Sequence, residues 1–241
     1  MRLDELLVVR GLAPTRSRAR DAIRRGHVAV AGLATVQPGK AVARDADIAV
    51  ADPALAWVSR GALKLAAALD AFGLDPAGRV ALDLGASTGG FTQVLLSRGA
   101  ARVHAVDVGH GQLAAALAAD PRVVLHEGVN ARDLTAAMVG EAPDAIVADL
   151  SFISLRLALP PALALAAAGV WLVALVKPQF ELGPDHLGKG GLVRDRETAQ
   201  RCAAALGEWL FDLGWQPRGV IASPIAGGSG NREFLLGATY G

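Results

Sequence analysis

The chain is poor in cysteine and in lysine, and each shortage narrows what it can do. A single cysteine, Cys202, among 241 residues allows no internal disulfide, which argues against a disulfide-stapled secreted scaffold and fits a reducing, cytoplasmic setting. No Cys/His cluster has the spacing of a metal site, so no metal is expected. The start, "MRLDELLVVR", carries charges within its short apolar pattern and does not read as a secretory leader. One charge-free run, residues 157–176, is long enough to span a bilayer. Pro160, Pro161 and Gly169 interrupt it, so it reads as a helix to about Ala168 and then a buried strand, "VWLVALV", with no membrane partner.

The net charge of +1 hides an asymmetry. Residues 1–60 hold ten basic against six acidic side chains, and the remainder holds 14 against 17, so the basic character sits at the N-terminus. There "RLDELLVVRGL" reads as an amphipathic helix stopped by Gly11. "TRSRARDAIRRGHV" reads as a second, capped by Thr15 and ended at Gly26, and "VAVAGLATVQPGKAV" as a strand hairpin. Arg16, Arg18, Arg20, Arg24 and Arg25 crowd the second helix. Such a helix neutralises phosphates, and equally serves as a solvated face in an Arg-rich chain. In its order of elements, "RLDELLVVRGLAPTRSRARDAIRRGHVAVAG" resembles the S4 RNA-binding domain, which implies a small α+β module over residues 1–54 and structured RNA as a partner. Residues 55–60 read as a linker, with Trp57 either setting how the modules meet or packing as an anchor. Arg60 joins Arg16, Arg18, Arg20 and Arg24 as an expected RNA contact.

From Val80 onward, strand-like runs alternate with Ala/Leu-rich helices: "RVALDLG", "RVHAVDV", "VVLHEG", "DAIVADL", "VWLVALV", "GVIASPI" and "REFLLGA". The pattern predicts an α/β, Rossmann-like fold with a mostly parallel sheet over residues 61–241, and ligands in such sheets bind beyond the carboxyl ends of the strands. The first strand ends at Asp83 and runs into Gly85, Ala86, Ser87, Thr88, Gly89, Gly90 and Phe91. This departs from the dinucleotide G-x-G-x-x-G pattern, whose bare helix N-terminus suits a pyrophosphate. An acidic strand end suits an ammonium instead, as in S-adenosyl-L-methionine. Asp107, followed by Val108, closes the second strand at the distance expected for a ribose contact. Asn130, Ala131 and Arg132 follow the third, at a position to border an adenine. On these residues alone another nucleotide remains open.

The four lysines, set against twenty arginines, each invite a reason. Lys40 and Lys189 lie in glycine-flanked turns. Lys177 ends a strand before Pro178, and Lys64 opens a helix. Arginine cannot replace a lysine that must lose its proton, because guanidinium stays charged. Asp149 ends "DAIVAD", and Glu233 lies in "SGNREFLL". In this order Lys64, Asp149, Lys177 and Glu233 resemble the K-D-K-E tetrad of the FtsJ-like 2′-O-methyltransferases. With the S4-like segment ahead, "WVSRGALKL", "DLGASTGGFT", "VDVGHGQL", "NARDL", "ADLSFISL", "LVKPQFELG" and "GGSGNREFLL" resemble the TlyA family of ribosomal-RNA methyltransferases. The resemblance implies methyl transfer from S-adenosyl-L-methionine to a ribose 2′-hydroxyl of ribosomal RNA, usually on a cytidine, with the tetrad catalytic. Competing readings are a non-enzymatic RNA-binding or ribosome-assembly protein, a membrane-active hemolysin, and a methyltransferase of bases or proteins. The first predicts damaged tetrad positions, the second a leader or spanning segment, and the third a different motif at "ADLSFISL".

Overall fold

Local chemistry sets the N-terminal helices. Helix α1 (Leu3–Val9) ends before Gly11, and α2 (Arg16–Arg24) starts at Thr15, whose hydroxyl accepts the Arg18 amide. Leu3, Leu7, Ala19, Ala22 and Ile23 form their shared buried seam. Strands β1 (Val28–Val30) and β2 (Leu33–Ala34) are joined by Ala31 and Gly32, both at positive φ, which is the turn that fits a right-twisted hairpin. A third strand, β3 (Ile48–Val50), pairs antiparallel with the other edge of β1. The hairpin reading did not include it, because three residues carry too little alternation to stand out. The computed structural model describes residues 1–227 and 230–241 and divides into two units, Met1–Ser59 and Arg60–Gly241. The stretch expected as a linker begins inside the first unit, where a 3₁₀ turn, Pro53–Ala56, packs on α2.

The second unit opens with α3 (Gly61–Phe72). Strand β4 (Val80–Leu84) leads to α4 (Gly90–Ser97), β5 (Arg102–Asp107) to α5 (Ala115–Ala118), and β6 (Val123–Glu127) to α6 (Ala136–Val139). Then come β7 (Ala145–Ala148), α7 (Leu155–Ala158), α8 (Pro160–Leu163), β8 (Val170–Val176) and α9 (Pro178–Glu181). Last are α10 (Arg196–Asp212), β9 (Trp215–Ala222) and β10 (Phe234–Tyr240).

The seven strands lie in the order β6-β5-β4-β7-β8-β10-β9. The first five are parallel, and β10 runs antiparallel to both β8 and β9. All seven residues of β8 are buried, as a central strand covered on both faces requires. Alternation sorts the two layers. Leu82, Leu84, Leu236 and Ala238 face a core that includes Ala199, Ala203, Leu206 and Leu210 of α10, spaced on one helix face. Gly237 points the other way, where a Cβ would fall 2.6 Å from the Phe72 ring of α3. Removing a fully buried leucine such as Leu82 from this core costs about 2–5 kcal/mol on truncation to alanine.

The single helix expected up to Ala168 is two short ones, α7 and α8. Pro160 is the cause: it cannot continue a helix that has already begun, but it is well suited to start the next. Among the described residues no helix is long and apolar enough to cross a membrane.

Candidate active site

Strand ends assemble the site. After β4 the chain turns at Gly85 (φ 82°) so close to the end of β7 that a Cβ there would lie 2.5 Å from the Asp149 carbonyl oxygen. Only glycine permits that approach. Ser87 follows at φ 48°, and its amide donates to Asp107 at 2.8 Å, while the Gly109 amide donates to the other oxygen of the same carboxylate at 2.7 Å. Asp107 thereby ties the glycine turn to the end of β5. The Asn130 side chain accepts the Arg132 amide at 3.1 Å and shapes the turn after β6. These three strand ends and the segment after β7 enclose a cleft of about 910 Å³.

Of the expected cofactor residues, Gly85, Ser87, Asp107, Val108, Asn130, Ala131 and Arg132 line the cleft. Asp83, Ala86, Thr88, Gly89, Gly90 and Phe91 are not part of that lining. Gly89, at φ 97°, starts α4, and Gly90 and Phe91 are buried in that helix. Ala86 is buried, and Thr88 is exposed with its carbonyl accepting the Ala114 amide. Asp83 is fully buried: Oδ2 accepts the Thr92 hydroxyl at 2.6 Å, and Oδ1 has no partner among the described residues. Burial raises its carboxyl to about 7, assisted by the nearby negative charges of Asp149 and Asp107 and opposed by the Thr92 hydrogen bond.

The four tetrad positions form two ion pairs. Lys177 Nζ meets Asp149 Oδ1 at 2.5 Å, and Lys64 Nζ meets Glu233 Oε2 at 2.5 Å. Lys177 follows the last residue of β8 and Glu233 precedes the first of β10. Val176 and Phe234 are register partners, so both pairs stand at one end of the sheet. Lys177 also donates to the Ser151 hydroxyl at 2.8 Å. Glu181 holds the segment after Asp149 in place, accepting from the Ser154 hydroxyl at 2.6 Å and from the Leu155 amide at 2.7 Å.

Sequence reasoning missed several groups here. Ser151 and Phe152 sit in "ADLSFISL" and Phe180 in "LVKPQFELG", stretches read for their likeness rather than for chemistry. Phe152 is 89% exposed at φ 64°, with its ring 5.0 Å from that of Phe180. A bulky residue at positive φ is held there against a conformational cost. Within "GGSGNREFLL", Gly228 and Ser229 lie outside the described residues. Asn231 is buried, accepting the Val193 amide at 2.9 Å and donating to the Gly191 carbonyl at 2.9 Å.

In the first unit the expected RNA arginines divide by role. Arg16 and Arg20 converge with Arg2 on the buried carboxylate of Asp4, at 3.0, 2.8 and 3.0 Å respectively. Burial pushes that carboxyl up, but the hydrogen bonds from Arg2, Arg20 and Arg16 together outweigh it and hold Asp4 well below the usual carboxylate range. Arg18 donates to the carbonyls of Trp57 and Val58, both at 2.8 Å, and to that of Ala54. Arg24 is exposed. In the second unit Arg60 is the half-buried residue that opens α3. Cys202 is half-buried, and burial pushes its thiol up to about 11, so it stays protonated. Among the described residues no group of histidine, cysteine or carboxylate side chains could hold a metal ion.

A mixed seven-stranded sheet with a glycine turn, an acidic second strand end and a cleft across the strand termini defines a methyltransferase fold. Comparison with known proteins narrows it. Residues 57–240 match the FtsJ-like methyltransferase family, and residues 1–44 match the S4 domain. The rRNA (cytidine-2′-O)-methyltransferase TlyA of Mycobacterium tuberculosis, named for 16S and 23S rRNA, is 50% identical over 98% of this chain and 88% of its own. Hemolysin A of Brachyspira hyodysenteriae is 38% identical over 98% of both. A solved structure from Streptococcus thermophilus, carrying a provisional hemolysin name, superposes with a TM-score of 0.78 at 37% identity, covering 100% of this chain and 88% of that one. The chain belongs to the TlyA family, an S4 domain followed by an FtsJ-like methyltransferase domain.

Proposed function

We propose that this protein methylates a ribose 2′-hydroxyl, that of a cytidine, in ribosomal RNA, using S-adenosyl-L-methionine in the cytoplasm. The observation that carries the reading is Lys177, held between Asp149 and Ser151 at the rim of the cleft. The residues present suit the cofactor. The cleft has room for a nucleoside-sized ligand, the missing Cβ of Gly85 lets the turn close onto the end of β7, and Asp107 stands at the strand end where ribose hydroxyls would be met. When ionised, above about pH 7, buried Asp83 adds negative potential behind the turn, suited to an ammonium. When bound, S-adenosyl-L-methionine supplies a methyl group already activated by its sulfonium.

The chain's own task is to place a hydroxyl and take its proton. A lysine nitrogen has three hydrogen-bond directions beyond its carbon. Asp149 and Ser151 occupy two of them, which leaves one for the acceptor hydroxyl. In its neutral form, reached when the ammonium first releases a proton to water, Lys177 keeps donors on Asp149 and Ser151 and turns its lone pair to the hydroxyl. It then takes the hydroxyl proton as the oxygen attacks, and Asp149 fixes its orientation. The Lys64–Glu233 pair stands at the same end of the sheet and is itself neutral. Positioning of this kind supplies up to roughly 7–11 kcal/mol of barrier reduction. Phe152 offers an exposed face on which a base turned out of its stack can rest, a contact worth about 1–3 kcal/mol. The first unit, residues 1–54 with 55–60 as its connection, binds structured RNA through Arg24 and the outer surfaces of Arg16 and Arg20.

The test is transfer of labelled methyl from S-adenosyl-L-methionine to purified large and small subunits and to naked rRNA, with Lys177→Ala alongside. Labelled, alkali-resistant dinucleotide that disappears in the variant supports the reading. RNA binding without any labelled product would favour the non-enzymatic scaffold instead.

A further inference from the structure

On the other side of Glu233 from Lys64 lies a second hollow, of about 440 Å³, between the first turns of α10 and the mouth of the β9–β10 hairpin. We propose that it seats the nucleotide that flanks the methylated one, with the phosphodiester on Arg232 and Arg196 and the sugar and base against an apolar wall of Val220, Ile225 and Phe234. The inference rests on RNA being the substrate.

Four observations carry it. First, Glu233 lines this hollow while its carboxylate pairs with Lys64, so the hollow abuts the tetrad. A chain with one residue at the tetrad has its neighbour within reach of this space. Second, Arg196 and Arg232 are both exposed on the rim, and neither has a protein partner among the described residues. Elsewhere the same helix satisfies its charges internally: Arg201 pairs with Glu197 at 2.7 Å, and Asp195 is turned onto Thr198. With Glu233 neutralised by Lys64, the uncompensated charge of the hollow is positive. Third, the volume lies in the range of small-ligand pockets and the lining is part apolar, part polar. Fourth, the mouth is built rather than loose. The Ser223 amide donates to the Glu233 carbonyl at 2.9 Å, and Asn231, buried, fastens its segment to the backbone at Val193 and Gly191. Arg232 is exposed between the buried Asn231 and Glu233.

A phosphate contact weakens binding uniformly when lost and lowers the salt dependence of affinity. The experiment measures affinity of the full chain for rRNA across a salt series, for wild type, the Arg196→Ala/Arg232→Ala double variant, the corresponding double lysine variant and Arg201→Ala. Cofactor binding and thermal melting are followed in parallel. The double alanine variant is expected to bind RNA about tenfold more weakly, with the slope of log K against log salt reduced by about 0.7, as one single-strand phosphate predicts. Its cofactor affinity and melting temperature stay as in the wild type, the lysine variant recovers most of the slope, and Arg201→Ala changes neither quantity. An unchanged slope and affinity in a folded double alanine variant overturns the site. If the wild type methylates no RNA yet the double variant still loses slope, the two arginines are RNA contacts of another kind and the flanking-nucleotide assignment falls together with the methyl-transfer reading. A wild type that methylates RNA beside an unchanged slope overturns the subsite alone.

Discussion

Lys64 and Glu233 are separated by 169 positions in the chain and meet at 2.5 Å, both almost wholly buried. Neither charge has water to fall back on. Removing one partner strands the other, a change that costs about 3–5 kcal/mol for a buried pair. Lys64→Ala and Glu233→Ala are each expected to lose stability on that scale in urea unfolding. The double variant should lose markedly less than the two single losses added together, since it leaves no stranded charge. Additive losses would mean that the two groups do not act as a pair.

Lys177 sits where retaining charge is not the same as retaining function. Lys177→Arg keeps the positive charge beside Asp149, but a guanidinium does not give up its proton in water-like conditions. Turnover should fall by about 10²-fold or more, in the range set by loss of a general base, with cofactor affinity unchanged. Ser151→Ala removes one of the two holds on Nζ and is expected to lower kcat about tenfold, roughly the worth of one hydrogen bond to a charged group. Restoration by Ser151→Thr would separate orientation of the lysine from general packing. Near-wild-type turnover in Lys177→Arg would remove the proton-acceptor role.

Much of this was legible in the chain because its pattern and its topology agree. The first six strand-like runs alternate with helical segments, the last two form a hairpin, and each of the seven contributes to a strand. Thr15 marks a helix start by a chemistry that short windows show, and the structure bears it out. Asp107 and Asn130 fall at the ends of strands because period-two runs stop there. What the sequence hid depends on distant partners. Asp83 reads as a strand-end acid, but residue alternation turns it into the α4 side of the sheet, onto Thr92. Arg16 and Arg20 read as a basic face until Asp4, buried twelve and sixteen residues earlier, claims them. Ser151 gains its meaning from a lysine 26 residues away.

Asp83 makes a signed prediction. Its carboxyl titrates near 7 in the folded chain against about 3.9 when unfolded. The native state therefore binds the proton more tightly. That contribution is fully present below about pH 4 and is lost as pH rises through about 7. Asp83→Asn holds a neutral group of similar shape, so its melting temperature should decline less than that of the wild type between pH 5 and pH 8. The same variant removes the negative potential behind the glycine turn, so it should bind S-adenosyl-L-methionine more weakly at pH 8. Parallel melting curves for the two proteins across that range would show that Asp83 does not titrate there.

The arginines of α2 separate binding from folding. Arg18 is half-buried and fastens the carbonyls of Ala54, Trp57 and Val58, each a charge-assisted bond worth about 1.5–3 kcal/mol. Arg18→Ala leaves those carbonyls short of a donor, and the expected result is a loss of stability of a few kcal/mol with faster exchange of amides in residues 53–58. Arg24 is exposed on the same helix. Arg24→Ala should leave stability unchanged within about 0.5 kcal/mol and weaken rRNA binding several-fold, with a shallower salt dependence. Hydrogen exchange and a salt titration on the two variants check this directly. If Arg18→Ala were stable and RNA affinity fell only there, Arg18 would be the phosphate contact and its backbone hydrogen bonds incidental.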